Sequence, residues 1–469
     1  MKNRVSIGVL LAAVCALALI AAGCGGGGGN KAGGKTGGGG VKALPASSCG
    51  PLTYKGSGKA DYLIASDLPL QGGSRTQTTQ MVGAIKYVLQ QHHWMAGKFH
   101  IAYQSCDDST AQLGKWDADK CSANAHAYAQ NSKLLAVLGT FNSGCAAIEI
   151  PVLNQAPGGG MLLFSSANTY GCLTEPCAGD EPEKYYPSGK RTYTRVAPSD
   201  PNQGAVDAKF LADKGVKSVY ILNDKEAYGL GVAKNFKGAA QKLGIKIDGF
   251  AAYDPKAANY QALFTKIKGT NPDAVFIGGL IDENSGQLIN DKVSVLGPNT
   301  PNPSSGVMLM LPDGFTTDAI FQRSQGGTPN AKGAYFSVAG VGIDKYKGPA
   351  LKFIDGFKQT LHGKAVDPYA ILAAQAAQVV VGGPGVSGGG AIGKSDGSRT
   401  QVIKNVFATH VKNGLIGTFS FNKNGDLTGA SGAAVLFTIY QGTNHLETLN
   451  SGVAPQPTLV QAARKAAAG

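Results

Sequence analysis

Charge is scarce in this chain. Only 16 % of its 469 residues are Asp, Glu, Lys or Arg, while 43 % are apolar. A disordered chain has the opposite balance, so disorder throughout is excluded. Long apolar runs are also scarce. One stretch, near the N-terminus, approaches spanning length, which excludes a polytopic membrane protein. The 67 glycines carry no Gly-X-Y period, so the chain is not collagen-like. Signals of catalysis are thin. No His-Glu-x-x-His pair occurs, no nucleophile elbow is expected, and the seven His lie away from the loops considered below. No catalytic residue, metal site or cofactor is expected.

What is present starts with an export signal. Lys2 and Arg4 precede a mostly apolar run over 7–22, and Ala21-Ala22-Gly23-Cys24 supplies small residues before a cysteine. This resembles the lipobox of bacterial lipoproteins, with Ala21 where Leu is usual. It implies a signal peptide over 1–23 and acylation of Cys24. The chain would then be exported and anchored to the outer face of the cytoplasmic membrane. Residues 25–40 hold eleven Gly and nothing larger than Ala among apolar residues, the composition of a flexible tether. Gly29 to Thr36 matches the P-loop pattern, but poly-Gly flanks it where a strand and a helix are needed. Nucleotide binding is rejected on that ground.

Setting aside Cys15 and Cys24 leaves Cys49, Cys106, Cys121, Cys145, Cys172 and Cys177. An even count in an exported chain points to three disulfides. Cys172 and Cys177 enclose a short loop and are expected to pair. The other four allow three pairings. No Cys-x-x-Cys spacing supports zinc. The formal net charge is +13, of which five positive charges lie in the first 42 residues. No basic stripe with interleaved aromatics is visible, so nucleic-acid binding is not expected.

Short β-rich runs recur at 62–66, 99–103, 134–139 and 161–165, and again at 218–222, 246–251, 274–278 and 307–311. Helical patterns separate them at 76–91, 228–243 and 259–268, and Ser199-Asp200-Pro201 opens another helix. Strands alternating with helices at this spacing imply βαβ units and parallel sheets. The fold expected is α/β, with two Rossmann-like lobes joined by several crossing strands. Helices at 347–361, 368–381 and 399–412, a Gly-rich loop at 382–390 and late strands at 417–421 and 433–440 complete the chain. The expected division is 1–23 signal peptide and 24–59 lipidated tether and extension. Lobe 1 takes 60–195 and 341–416, lobe 2 takes 196–340 and 417–457, and 458–469 is a tail.

Several strand ends carry distinctive residues. These are Ser66-Asp67-Leu68-Pro69-Leu70-Gln71-Gly72-Gly73, Gly139-Thr140-Phe141-Asn142-Ser143 and Phe164-Ser165-Ser166-Ala167-Asn168-Thr169. Further along come Asn223-Asp224-Lys225-Glu226-Ala227-Tyr228-Gly229, Leu311-Pro312-Asp313-Gly314, Gly417-Thr418-Phe419-Ser420-Phe421-Asn422 and Gly425-Asp426-Leu427. In order and spacing, over roughly 60–442, the chain resembles the leucine/isoleucine/valine-type periplasmic binding proteins, substrate receptors of branched-chain amino acid ABC transporters. The resemblance implies a type I periplasmic binding fold whose lobes close on an amino acid or related small polar solute. It also implies ABC permease subunits as partners, and a monomer is expected. A sensor of the same fold is the alternative.

Ligands of open α/β sheets bind beyond the carboxyl ends of the strands. The resemblance places a ligand carboxylate at Ser143 and Thr169. It places the ammonium at Asp313, an aromatic at Tyr228 and a backbone acceptor at Asn168. Where the family often has aromatics, this chain has Leu280 and Ser74-Arg75-Thr76, so Arg75 is a candidate for a second carboxylate. Each residue also has a plain structural reading. Ser143 can cap a helix, Thr169 can close a turn, Asp313 suits a Pro-Asp-Gly turn, and Tyr228 can pack at a helix start.

Overall fold

The computed structural model describes residues 40–469; the expected signal peptide and Cys24 lie outside the described residues. The first sheet is built from β1 (Tyr62–Leu68), β2 (Phe99–Asp107), β3 (Leu134–Gly139), β4 (Leu162–Ser165) and β5 (Tyr193–Arg195). Their order is β2-β1-β3-β4-β5, with every pair parallel, and the two-residue strand Met95–Ala96 pairs antiparallel on the β2 edge. Helices α1 (Arg75–Gln91), α2 (Ala118–Gln130) and α3 (Ser143–Asn154) connect the strands. All six residues of β3 are buried, as a central parallel strand covered on both faces requires.

The chain crosses after β5 into α4 (Asp200–Asp213), β6 (Ser218–Asn223), α5 (Ala227–Lys242), β7 (Lys246–Ala252), α6 (Gln261–Lys268), β8 (Ala274–Gly278), α7 (Ser285–Leu296), β9 (Met308–Leu311) and β10 (Tyr335–Ala339). It then crosses back. Helices α8 (Gly348–Lys358), α9 (Pro368–Val381) and α10 (Arg399–Phe407) follow. Helix α9 is buried at all but its first residue and packs on α1 of the first lobe. The Gly-rich loop ahead of α10 runs against the Met95–Ala96 edge. There Gly389 has φ +70°, and a Cβ on it would sit 2.0 Å from the Gly97 nitrogen, so only glycine fits.

Three stretches differ from the expected division. Strands β11 (Thr418–Phe421) and β12 (Leu427–Ser431), expected in lobe 2, form a small sheet with residues 410–411 and pack on lobe 1. Phe421 meets Phe164 edge-on, with ring centroids 5.7 Å apart. The fully buried Arg195 on β5 also meets its counter-ion there, Asp426 at 2.8 Å. The return to lobe 2 comes with β13 (Phe437–Gly442), antiparallel to β10, and β14 (Leu446–Val453) at the sheet edge. The second sheet is thus ordered β7-β6-β8-β9-β10-β13-β14.

The tail forms α11 (Pro457–Ala467), which buries Leu459, Val460 and Ala463 against α4 and α5. The extension is folded too: Val41, Leu44 and Cys49 are buried, and Thr53 pairs with Tyr103 of β2. Sulfur atoms lie at bonding distance in the pairs Cys49–Cys106, Cys121–Cys145 and Cys172–Cys177. Among the described residues no helix is long and apolar enough to cross a membrane.

Candidate functional site

The two sheets turn their carboxyl ends toward one another. On the first lobe, the loops after β3 and β4 are tied together before they reach the cleft. The Ser165 hydroxyl donates to the Thr140 carbonyl at 2.9 Å. The Asn168 amide donates to the carbonyls of Thr140 and Phe141 at 3.0 and 2.9 Å. Tyr193 donates to the Asn168 side-chain oxygen, and Arg195 to its carbonyl. Asn168 is therefore a brace behind the site, its side chain turned to Thr140, Phe141 and Tyr193.

The brace presents Ser143 and Thr169. Ser143 is the first residue of α3, where the leading N–H groups and the positive end of the helix dipole face the cleft. Thr169 is buried, and its hydroxyl has no hydrogen-bond partner among the described residues.

The second lobe supplies Tyr228, in the first turn of α5, and Asp313, just past the end of β9. The Tyr228 hydroxyl donates to Asp313 Oδ1 at 2.6 Å and accepts from the Gly314 N–H at 3.0 Å. Asp313 Oδ2 accepts from Tyr369 at 2.5 Å, and Tyr369 comes from the first turn of α9 on the opposite lobe. The sequence reading missed Tyr369. Its one signal was Asp367-Pro368 just ahead of it, which marks a helix start; the Asp367 side chain caps that helix by accepting the Tyr369 N–H. Phe141, also not singled out, meets Tyr369 edge-on with centroids 5.4 Å apart.

Ser143, Thr169, Tyr228 and Asp313 therefore line one cavity, closed over by Leu280 and Tyr369. It measures about 20 Å³, roughly the space of one water. No residue lining it is basic. Burial pushes the Asp313 carboxyl above its ordinary range, and the two tyrosine hydroxyls partly offset that. Asp200, at the start of α4, adds a second buried carboxylate beside Thr169, whose carbonyl accepts the Asp200 N–H at 2.8 Å; burial, then the charge of Asp313, pushes its carboxyl well up, and the neighbouring Thr169 side chain partly offsets that. The site thus holds Asp313 without a cation on the second-lobe bank. On the other it offers free donors: a hydroxyl and a helix N-terminus.

Arg75 does not join them. It is exposed at the start of α1 and lines a wider groove of about 1130 Å³ at the mouth of the cleft. The N-terminus of α1 is occupied instead by Asp282 of the second lobe, which accepts the Gly73 N–H and the Ser74 hydroxyl.

Two stretches fit the Gly-x-Ser-x-Gly pattern, at 385–389 and 393–397. Neither follows a strand into a helix, and Ser395 is buried with its hydroxyl donating to the Ile392 carbonyl. They form no nucleophile elbow.

A profile of the family described as "Periplasmic binding protein" matches residues 68–436. "Leu/Ile/Val-binding protein homolog 3" of Brucella melitensis is 27 % identical over 63 % of this chain and 70 % of its own length. "Amino acid binding protein" of Pseudomonas aeruginosa is 25 % identical over 45 % of this chain and half of its own length. Among solved structures, the leucine-binding protein LivK of Thermotoga maritima superposes with a TM-score of 0.67 at 18 % identity, covering 84 % of this chain and 99 % of that one. A Rhodopseudomonas palustris solute-binding protein in complex with benzoate superposes with a TM-score of 0.63 at 16 % identity, covering 84 % and 97 %. These relatives are binding proteins, not enzymes, and the structures share the two-lobed fold. With a family match across most of its length, this chain belongs to the periplasmic binding protein family.

Proposed function

We propose that this protein captures an amino acid, or a closely related small zwitterion, between its lobes and hands it to the permease of an ABC transporter. In this reading the ligand ammonium is held by Asp313 with Tyr228 and Tyr369 around it. The carboxylate is held by the Thr169 hydroxyl, Ser143 and the N–H groups that open α3. The observation that carries the reading is the pairing of banks. A buried carboxylate without a cation faces a buried hydroxyl without a partner across a cavity that both lobes line. Such a cavity is completed by a ligand with opposite charges at its two ends.

Export, with a lipid on Cys24, places capture outside the cytoplasmic membrane beside a permease. A monomer suffices, because one chain supplies both banks. The lack of a cation in the site argues against benzoate-type acids, whose single negative charge leaves Asp313 uncompensated. A sensor would use the same site, and permease and ATPase genes beside this one would favour transport.

The test is a thermal-shift screen of amino acids, small amides and benzoates. A true ligand at a hundred times its Kd raises stability by about 2.7 kcal/mol. The reading expects amino acids to score and benzoates to fail. A benzoate that stabilises while every amino acid fails rejects it.

A further inference from the structure

Lys115 stands on a small hairpin, Ser109–Thr110 against Lys115–Trp116, that follows β2 on the first lobe. Its ammonium crosses to the second lobe, where it lies 3.2 Å from Glu226 and in direct contact with Glu283. Glu226 immediately precedes α5 and Glu283 lies just before α7. The hairpin is seated tightly. A Cβ on Gly144, in the first turn of α3, would meet the Trp116 ring at 2.6 Å and Glu226 Oε2 at 3.4 Å.

Two more carboxylates share this face of the second lobe. Asp224 is buried, and its Oδ2 has no hydrogen-bond partner among the described residues; the Tyr253 hydroxyl near it is unpartnered too. Asp282 reaches over to the N-terminus of α1. The closing face of lobe 2 therefore carries Asp224, Glu226, Asp282 and Glu283. Lys115 is the one ammonium among the described residues within 4 Å of any of them. Arg75 lines the groove beside Asp282, and Lys225 follows Asp224 in the chain, but neither is ion-paired with these acids.

We propose that Lys115 is a closure latch, a positioning residue that holds the lobes together by seating in this acidic face, and that closing the cleft takes up protons onto the carboxylates of that face. The proposal rests on the two-lobe capture reading but not on the identity of the ligand. Burial in the closed form raises Asp282 to about 6 and Glu283 to about 7. In an open form these side chains face water, where carboxyls titrate near 4. The closed form then binds protons more tightly, so closure strengthens as pH falls from about 7 toward about 4. Without Lys115, closure buries these carboxylates with no cation at neutral pH, and protonation should lift that cost.

The test is small-angle X-ray scattering of the ligand-free protein at pH 8 and pH 5, for wild type, Lys115→Ala and Lys115→Arg. The latch predicts compact wild type and Lys115→Arg at both pH values. Lys115→Ala should be expanded at pH 8 and compact again at pH 5, a rescue that a merely structural role would not give. A Lys115→Ala protein as compact as wild type at pH 8, one that stays expanded at pH 5, or a wild type already open at pH 8 overturns the proposal. In a second arm with L-leucine as probe, Lys115→Ala raises Kd at least about tenfold at pH 8 and less than about threefold at pH 5. Absence of any leucine binding counts against the capture reading, while the scattering arm still decides the latch.

Discussion

Tyr369 donates its hydroxyl to Asp313 at 2.5 Å from the opposite lobe. One oxygen of the carboxylate is thus held by its own lobe, through Tyr228, and the other by the lobe that closes on it. Both tyrosines are buried, and the charge of Asp313 raises their hydroxyls further after burial itself. They remain donors at any physiological pH. The carboxylate is thereby aimed at the cavity and its charge stabilised without a cation, which leaves that role to a ligand.

Asp313→Ala should weaken amino-acid binding by at least about 2 kcal/mol, the cost of leaving a buried ammonium unpaired. Tyr369→Phe should cost less, about 1–2 kcal/mol, since one hydrogen bond to a charged group is lost while the ring stays against Phe141. Calorimetric titration with L-leucine ranks the two. A larger loss for Tyr369→Phe than for Asp313→Ala would contradict the assignment.

Thr169→Val keeps the shape of a buried side chain and removes a hydroxyl that bonds nothing among the described residues. Stability of the free protein should therefore hold or rise slightly, while affinity for a carboxylate-bearing ligand falls by about 1.5–3 kcal/mol. Paired thermal melts and titrations separate the effects. A loss of stability with affinity intact would make Thr169 a structural residue only.

Stability should depend on pH through a cluster behind the site. Asp67, Asp108 and Glu149 are fully buried, with the Asn124 amide donating to Asp67. Burial, then neighbouring negative charge, pushes Asp108 and Glu149 well up. A carboxyl raised in the folded state contributes stability that is full below its unfolded value, about 4, and is lost as pH rises through the folded value. Thermal melts should therefore show higher Tm at pH 5 than at pH 8, changing by about 1.4 kcal/mol per pH unit for each retained proton. Asp108→Asn should flatten the slope. A wild-type Tm that rises from pH 5 to pH 8 would refute this.

The six cysteines of the folded part should be silent to thiol reagents in denaturant without reductant, and peptide mapping should recover Cys49–Cys106, Cys121–Cys145 and Cys172–Cys177. Replacing Cys49 and Cys106 together by Ser should cost about 2–4 kcal/mol, because that bond closes a 57-residue separation. Free thiols at Cys121 or Cys145 would contradict the pairing.

The alternation of strands and helices was legible because buried parallel strands need continuous apolar runs, and residues 62–66, 134–139, 218–222 and 274–278 all supply them. That Ser143, Thr169, Tyr228 and Asp313 meet at one cavity was legible for a related reason: each sits within a few residues of a strand end, and sheet topology brings such ends together. What failed depended on distant partners. Nothing near Asp426 announces that it neutralises Arg195, so the 417–431 stretch was assigned to the wrong lobe. Tyr369 opens a helix rich in Ala and Val, where an aromatic looks like ordinary core. Arg75 was misjudged because Asp282, in the other lobe, takes the helix end beside it. The spacing of Leu459, Val460 and Ala463 was visible in the tail, but a terminal position gave no reason to read it as packing.

The opposition of the two banks is tested most directly by taking the ligand apart. Calorimetric titration with L-leucine, with 3-methylbutan-1-amine, which lacks the carboxylate, and with 4-methylpentanoate, which lacks the ammonium, asks whether both charged ends are read. The account predicts that each half-ligand binds at least about a hundredfold more weakly than leucine. A carboxylate or an amine that binds as tightly as the amino acid would contradict it.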